Sequence, residues 1–173
     1  MNPYVSLSDP IYDQIHNKIA KTYQNVCIVW IEKVYNKDLE ERWQNYKKLF
    51  NTPNEKQLFH GTSERNARLI CRDGFDPDLN KVSAYGLGIY FATKAHTSRE
   101  YGIKSMGKEE IAYMLVCDVV LGNIGLSVGN SNKKIPKQYS SLCDNKASPD
   151  IFVVDKKEAC LPRYLVAFYP GAK

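Results

Sequence analysis

Ile111-Ala112-Tyr113-Met114-Leu115-Val116-Cys117-Asp118-Val119-Val120-Leu121 is the longest apolar run in the chain. It carries β-branched residues and no helical spacing, so it reads as a central strand. Other strands flank it in sequence. Val26 to Ile31 is β-branched and apolar, Gln57 to His60 is short, and Ile89 to Ala92 reads as buried. Ile151 to Val154 and Tyr164 to Tyr169 are the closing strands. Helical signals lie between some of them. Ser8-Asp9-Pro10 is a helix start, and Ile11, Ile15 and Ile19 recur at helical spacing, so a helix is predicted over about 10–22. A second is predicted over 38–50, with Leu39, Trp43, Tyr46 and Phe50 forming a packing stripe. A third runs from Ser63 to Arg72, with Thr62 or Ser63 as N-cap and Gly74 as C-cap. A short fourth covers Thr93 to Tyr101. Strands that arrive without regularly alternating helices argue against a parallel βαβ sheet. The expected class is α+β with antiparallel pairing. Segments 75–87 and 122–149 read as long loops, and loops of that length tend to be functional or disordered.

The bulk numbers bound the function. A chain of 173 residues is enough for one domain, 1–173, with a helix–strand part at about 8–50 and a core at about 55–170. With 43% hydrophobic and 25% charged residues, the mix is that of a soluble globular protein. No run approaches the ~18 consecutive apolar residues of a membrane span. The N-terminus shows no basic region followed by an apolar stretch, so no secretory leader is expected. Cys27, Cys71, Cys117, Cys143 and Cys160 are widely spaced, with neither a CxxC pair nor zinc-ligand spacing. An odd number of cysteines fits a reducing compartment, so the expected location is intracellular, cytoplasmic or nuclear. Cys27 and Cys117 lie in apolar runs and are expected as buried thiols. The net charge of +5 is carried partly by Lys133, Lys134, Lys137, Lys156 and Lys157. These read as a solvated face, and the excess favours an anionic, phosphate-bearing ligand.

The chemistry concentrates in two places. His60-Gly61-Thr62 closes one apolar run, and Gly88-Ile89-Tyr90-Phe91-Ala92 follows about one helix and one loop later. A histidine and a tyrosine thus occupy short strand-like segments beside glycine. That pattern suits a flat aromatic ligand clamped between backbone and side chains. Gly86-Leu87-Gly88 is not the GxGxxG turn of a dehydrogenase, and no βαβ context surrounds it.

Leu58-Phe59-His60-Gly61-Thr62, then Tyr85-Gly86-Leu87-Gly88-Ile89-Tyr90-Phe91-Ala92, then Ser98 and Tyr101 resemble the catalytic domain of the poly(ADP-ribose) polymerases, and more closely its mono-ADP-ribosylating branch. The likeness runs from about residue 10 to the end. It implies an antiparallel split β-sandwich of the ADP-ribosyltransferase type with short flanking helices. It also implies NAD as a co-substrate that is consumed, with no metal. By this resemblance His60 holds the 2′-hydroxyl of the adenosine ribose, a task suited to an imidazole that donates at one nitrogen and accepts at the other. Gly61 offers its backbone to the nicotinamide carboxamide, where the lack of a Cβ permits close approach. Ser98 adds a hydroxyl to that carboxamide. Tyr101 stacks on the nicotinamide ring and Tyr90 closes the opposite wall. Tyr85 and the 75–87 loop cover the adenosine side, with Asn66 reaching it from the following helix. Thr62, Gly88 and Ala92 complete the expected dinucleotide contacts.

Loss of nicotinamide gives the ribose C1″ oxocarbenium character, as in glycoside cleavage. The protein's part is then to orient the dinucleotide and leave C1″ open to an acceptor. The chain-elongating members carry a glutamate before an apolar strand, and Ile151 matches that position here. Isoleucine neither accepts a hydrogen bond from a ribose hydroxyl nor activates one. The expectation is therefore transfer of one ADP-ribose unit to a protein acceptor, this chain itself included, with release of nicotinamide. Asp150, next to Ile151, is expected to point to the other face. The helical autoinhibitory domain of the polymerases has no counterpart before His60, so an open pocket is expected. Two alternatives stay open: a module that holds NAD or ADP-ribose without turnover, and a transferase acting on nucleic-acid ends, for which the basic 133–137 stretch is weak support.

Overall fold

The computed structural model describes residues 3–79, 84–106, 110–129 and 133–170. Among the described residues four α-helices and eight strands follow one another as α1 (Pro10–Ala20), β1 (Cys27–Lys33), α2 (Lys37–Lys47), β2 (Glu55–Thr62), α3 (Glu64–Asp73), β3 (Ile89–Ala92), α4 (Ala95–Lys104), β4 (Ala112–Val120), β5 (Ile124–Leu126), β6 (Ser141–Cys143), β7 (Ile151–Val154) and β8 (Cys160–Tyr169). The strands form one hydrogen-bonded series in the order β1-β8-β4-β2-β3-β7-β6-β5. Every neighbouring pair is antiparallel except β5 with β6, which is parallel. The class is thus mixed, with a mostly antiparallel sheet.

The helix starts are chemically specified. The Asp9 carboxylate accepts from the Ile11 N–H with Pro10 in the first turn, and Asn36 accepts from Leu39. Ser63, not Thr62, caps α3 by accepting from Asn66, because Thr62 is still paired in β2 opposite Tyr113. Gly74 ends α3 as expected. The predicted stripe of α2 packs as read: Leu39 and Trp43 are buried against Val120 and Leu161, with Tyr46 and Phe50 alongside.

The central-strand reading of 111–121 holds, and the register explains it. Alternate residues of β4 point to opposite faces. Tyr113, Leu115, Cys117 and Val119 pack with Ala67 and Cys71 of α3. Ala112, Met114 and Val116 pack with Ile15 and Ile19 of α1 and Ala95 of α4. A strand covered on both faces needs an unbroken apolar run.

Two expectations fail. Cys27 is exposed, because β1 is an edge strand whose Val29 also faces outward; Cys117 is buried as read. The segment 122–149 is not wholly irregular, for it contains β5 and β6. Each spans three residues, too short for a recognisable period. Their pairing is parallel, unlike that of the other neighbouring strands.

β2 pairs with β4 along its whole length, from Glu55 opposite Val120 to Thr62 opposite Tyr113. With β3 it shares one aligned pair, Phe59 and Ala92. The sheet has a seam there, and the seam holds the site.

Candidate active site

A cavity of about 620 Å³ opens at the seam, within the usual range for small-molecule sites. Strand alternation divides its walls. His60 is opposite Leu115 and therefore faces the α3 side, while Gly61 is opposite Met114 and faces the α4 side. On the first wall the His60 ring meets Phe75 edge-on at 5.1 Å and Phe91 at 5.7 Å. Asn66, Leu69, Ile70 and Asp73 add one face of α3. On the second wall stand Ser98 and Tyr101 of α4, with Tyr90, Ala92 and Ile151 from β3 and β7. Ser98 is buried, whereas Tyr101 is 41% exposed and sits at the mouth.

His60 spans the seam. Its Nδ1 lies 2.8 Å from the Tyr90 carbonyl oxygen. A carbonyl can only accept, so Nδ1 carries the proton and Nε2 keeps its lone pair. Burial lowers the imidazole pKa, against the opposing pull of the Tyr90 carbonyl, and so favours the neutral ring. Tyr90 is held as firmly. Its hydroxyl donates to the Gly86 carbonyl at 2.6 Å and accepts from the Tyr85 N–H at 2.9 Å. Burial raises the Tyr90 pKa, which keeps the hydroxyl a donor. Tyr90 and Tyr101 both line the cavity.

Gly61 is required for a reason the sequence reading did not contain. A Cβ on Gly61 would stand 1.8 Å from the Ser98 carbonyl oxygen and 2.8 Å from the Gly102 nitrogen. The missing side chain lets α4 lie directly on β2, and this places Ser98 and Tyr101 at the cavity. Gly88 plays a similar part on the other strand. Its φ is +154°, and a Cβ there would meet the Val154 carbonyl at 2.5 Å.

His60, Gly61, Thr62, Asn66, Tyr90, Ala92, Ser98, Tyr101 and Ile151 all line the one cavity. Tyr85 and Gly88 do not. Tyr85 stands behind Tyr90, with ring centroids 6.5 Å apart, and Gly88 lies against β7. Of the 75–87 loop expected to cover the adenosine side, residues 80–83 lie outside the described residues. Asp150 faces away from the cavity, towards Thr93, Thr97 and Lys94. Leu69, Ile70 and Asp73 also line the cavity and were missed by the sequence reading, while Phe75, Asp76 and Leu79 line it from the 75–87 loop. One signal was available: Asn66, Leu69, Ile70 and Asp73 follow helical spacing, so a ligand touching Asn66 touches that face. The charge of the described lining residues does not share the chain's cation excess. They include Asp73 and Asp76 but no lysine or arginine, so the cation excess lies elsewhere.

No described helix is long and apolar enough to cross a membrane. Residues 11–143 match the family model described as "Poly(ADP-ribose) polymerase catalytic domain". Over 175 residues the chain is 33% identical to the human protein mono-ADP-ribosyltransferase PARP14, covering 93% of this chain and 10% of that protein. It is 30% identical over 184 residues to mouse protein mono-ADP-ribosyltransferase PARP12, covering 98% of this chain and 25% of that protein. A probable poly [ADP-ribose] polymerase of Dictyostelium discoideum is 27% identical over 154 residues, covering 82% of this chain and 44% of that protein. The chain thus spans about a quarter or less of the length of the first two relatives. On the match over 11–143, which takes in both β2 and β3 and the seam between them, the chain belongs to the poly(ADP-ribose) polymerase catalytic-domain family.

Proposed function

We propose that this chain is a mono-ADP-ribosyltransferase domain that transfers one ADP-ribose from NAD to a protein acceptor and releases nicotinamide. The observation that carries this reading is the seam cavity, where His60, Gly61, Tyr90, Ser98 and Tyr101 converge and Ile151 stands at the position that matches the glutamate of the chain-elongating members. Names of relatives such as PARP14 and PARP12 agree with it. The weak junction of β2 with β3 supports a split β-sandwich, with the whole of 1–173 as one catalytic domain.

The adenosine ribose is assigned to the α3 wall, where His60 Nε2 accepts from its 2′-hydroxyl. The nicotinamide is assigned to the α4 wall. There the Gly61 backbone and the Ser98 hydroxyl hold the carboxamide, and Tyr90 and Tyr101 flank the ring. Holding both ends fixes C1″ between them, which is the orienting contribution to catalysis. Bond cleavage expels nicotinamide and leaves positive charge on the ribose. The acceptor's nucleophilic oxygen then forms the new bond at C1″. Ile151 is 7% exposed and aliphatic, so the pocket itself supplies no carboxylate there to activate an incoming ribose hydroxyl. The acceptor has to bring its own nucleophile, which favours one transfer over chain growth.

Mass spectrometry after incubation with NAD tests the reading. One added ADP-ribose on this protein or an added target, with matching nicotinamide release, is expected. Tight NAD binding without nicotinamide release selects the second reading, a non-catalytic NAD-binding module, which the aliphatic Ile151 also permits. Ile151→Glu is expected to yield no polymer, because a single carboxylate does not rebuild an acceptor site. Long product chains on a gel would show otherwise.

A further inference from the structure

We propose that Thr22 and Asp150, which lie outside the cavity, are positioning residues that set the nicotinamide wall by holding the N-terminus of α4 from two other parts of the chain. The inference rests on the proposed placement of nicotinamide against Ser98 and Tyr101. α4 begins without a cap of its own. Lys94 stands at the N-cap position, and among the described residues its side chain makes no cap hydrogen bond. The first internal bond of the helix, from the Ser98 N–H to the Lys94 carbonyl, is long at 3.4 Å. The turn that carries Ser98 is therefore weakly fixed from within.

The fixing contacts come from distant segments. Thr22, in the turn between α1 and β1, accepts from the Ala95 N–H on its hydroxyl oxygen at 2.8 Å, which satisfies one of the free donors at the helix start. That turn is itself secured. Tyr23 is buried, its hydroxyl donates to the Tyr169 carbonyl at 3.2 Å, and Arg99 of α4 lies over its ring at 5.2 Å. Asp150, the residue before β7, holds the other side. Its carbonyl accepts from the Thr93 N–H at 2.9 Å. Its carboxylate accepts from Thr97 Oγ1 at 3.4 Å and pairs with Lys94 at 3.4 Å. A carboxylate beside a helix N-terminus is also favoured by the helix dipole. Gly61 lets α4 approach β2, but a residue without a side chain cannot lock the helix along its axis. Thr22 and Asp150 supply that lock, and Asp150 ties it to Ile151, the next residue in the chain.

Calorimetric titration of the whole chain with NAD and with ADP-ribose, which lacks the nicotinamide, tests this. Thr22→Ala is expected to weaken NAD binding about fivefold, the usual scale of a lost helix cap, and to leave ADP-ribose binding unchanged. The double variant T22A/D150A should lower the ratio of NAD to ADP-ribose affinity further. Thr22→Ser keeps the accepting oxygen and should show the parent ratio. Thr22 is exposed, so thermal midpoints near that of the parent protein are expected for its single variants and are checked alongside. Contacts that only stabilise the fold would weaken both ligands alike. A ratio unmoved in both Thr22→Ala and T22A/D150A therefore overturns the inference. So does a Thr22→Ser ratio as low as that of Thr22→Ala. Failure of the parent protein to bind NAD at all overturns the proposed function itself, and this inference with it.

Discussion

The two halves of the sheet are built differently. In β1-β8-β4-β2 the strands run seven to ten residues, and β4 and β2 pair along the whole of β2. Helices cover both faces. In β3-β7-β6-β5 the strands run three or four residues, and the junction with the first half is one residue pair. The first half is a scaffold whose stability comes from buried area. The second is held to it largely by side-chain devices: the His60 bond to Tyr90, the packing of Phe75 between His60 and Phe91, and the Asp150 contacts with α4. A ladder leaves no room for a ligand, whereas a seam closed by side chains does. The cavity therefore lies where the sheet is weakest.

Trp43→Ala strikes the scaffold alone. The indole is 2% exposed, with Lys47 and Arg163 lying over its ring. A loss of about 3–5 kcal/mol in denaturant unfolding is expected. A loss below 1 kcal/mol would show that the two halves share stability differently. Gly61→Ala strikes the seam from the α4 side. The added methyl meets the α4 backbone at Ser98 and Gly102, so α4 must shift. We expect about 3 kcal/mol of destabilisation by overpacking, with NAD binding lost by calorimetry. Retained binding would mean that α4 does not set the nicotinamide wall.

His60→Ala removes both the seam bond and the proposed ribose contact. Each hydrogen bond is worth about 1–1.5 kcal/mol, so nicotinamide release should fall about 10- to 100-fold. Unchanged release in a folded variant would remove the central assignment. Arg68→Ala tests how the α3 wall is anchored. Arg68 pairs with the nearly buried Glu32 at 3.3 Å, and its loss leaves that carboxylate uncompensated. Arg68 itself is half-exposed, so about 1–2 kcal/mol of destabilisation is expected, measured as a shift in unfolding midpoint. The smallest effect is the pH dependence. The folded His60 pKa is lowered from 6.5, so between the two values the unfolded chain binds more protons. Its stabilising contribution is complete above about pH 6.5 and declines as pH falls towards the folded value. Unfolding midpoints at pH 7.5 and 5 should differ by less in His60→Ala than in the parent protein.

The halves also differed in legibility. The apolar run of β4, the caps at Asp9 and Ser63 and the α2 stripe could be read from local pattern because each satisfies a local requirement. β5 and β6 escaped, since three residues carry no period and their pairing partners are distant in sequence. Among the site residues, those within the two motifs were legible. Leu69, Ile70 and Asp73 were read only as helix, because which face of α3 meets the cavity is set by packing.

Sequence alone determined which side chains can do chemistry, that one strand is central, and that Ile151 withholds a carboxylate. These follow from residue type, spacing and resemblance. Tertiary structure decided the rest: that Gly61 is empty to admit a helix, that the Tyr90 carbonyl fixes the proton on His60, and that the described lining of the cavity holds Asp73 and Asp76 in a basic chain. Each depends on which groups from distant segments come within a few ångströms. Contact distances of that kind are set by packing, which no local pattern encodes.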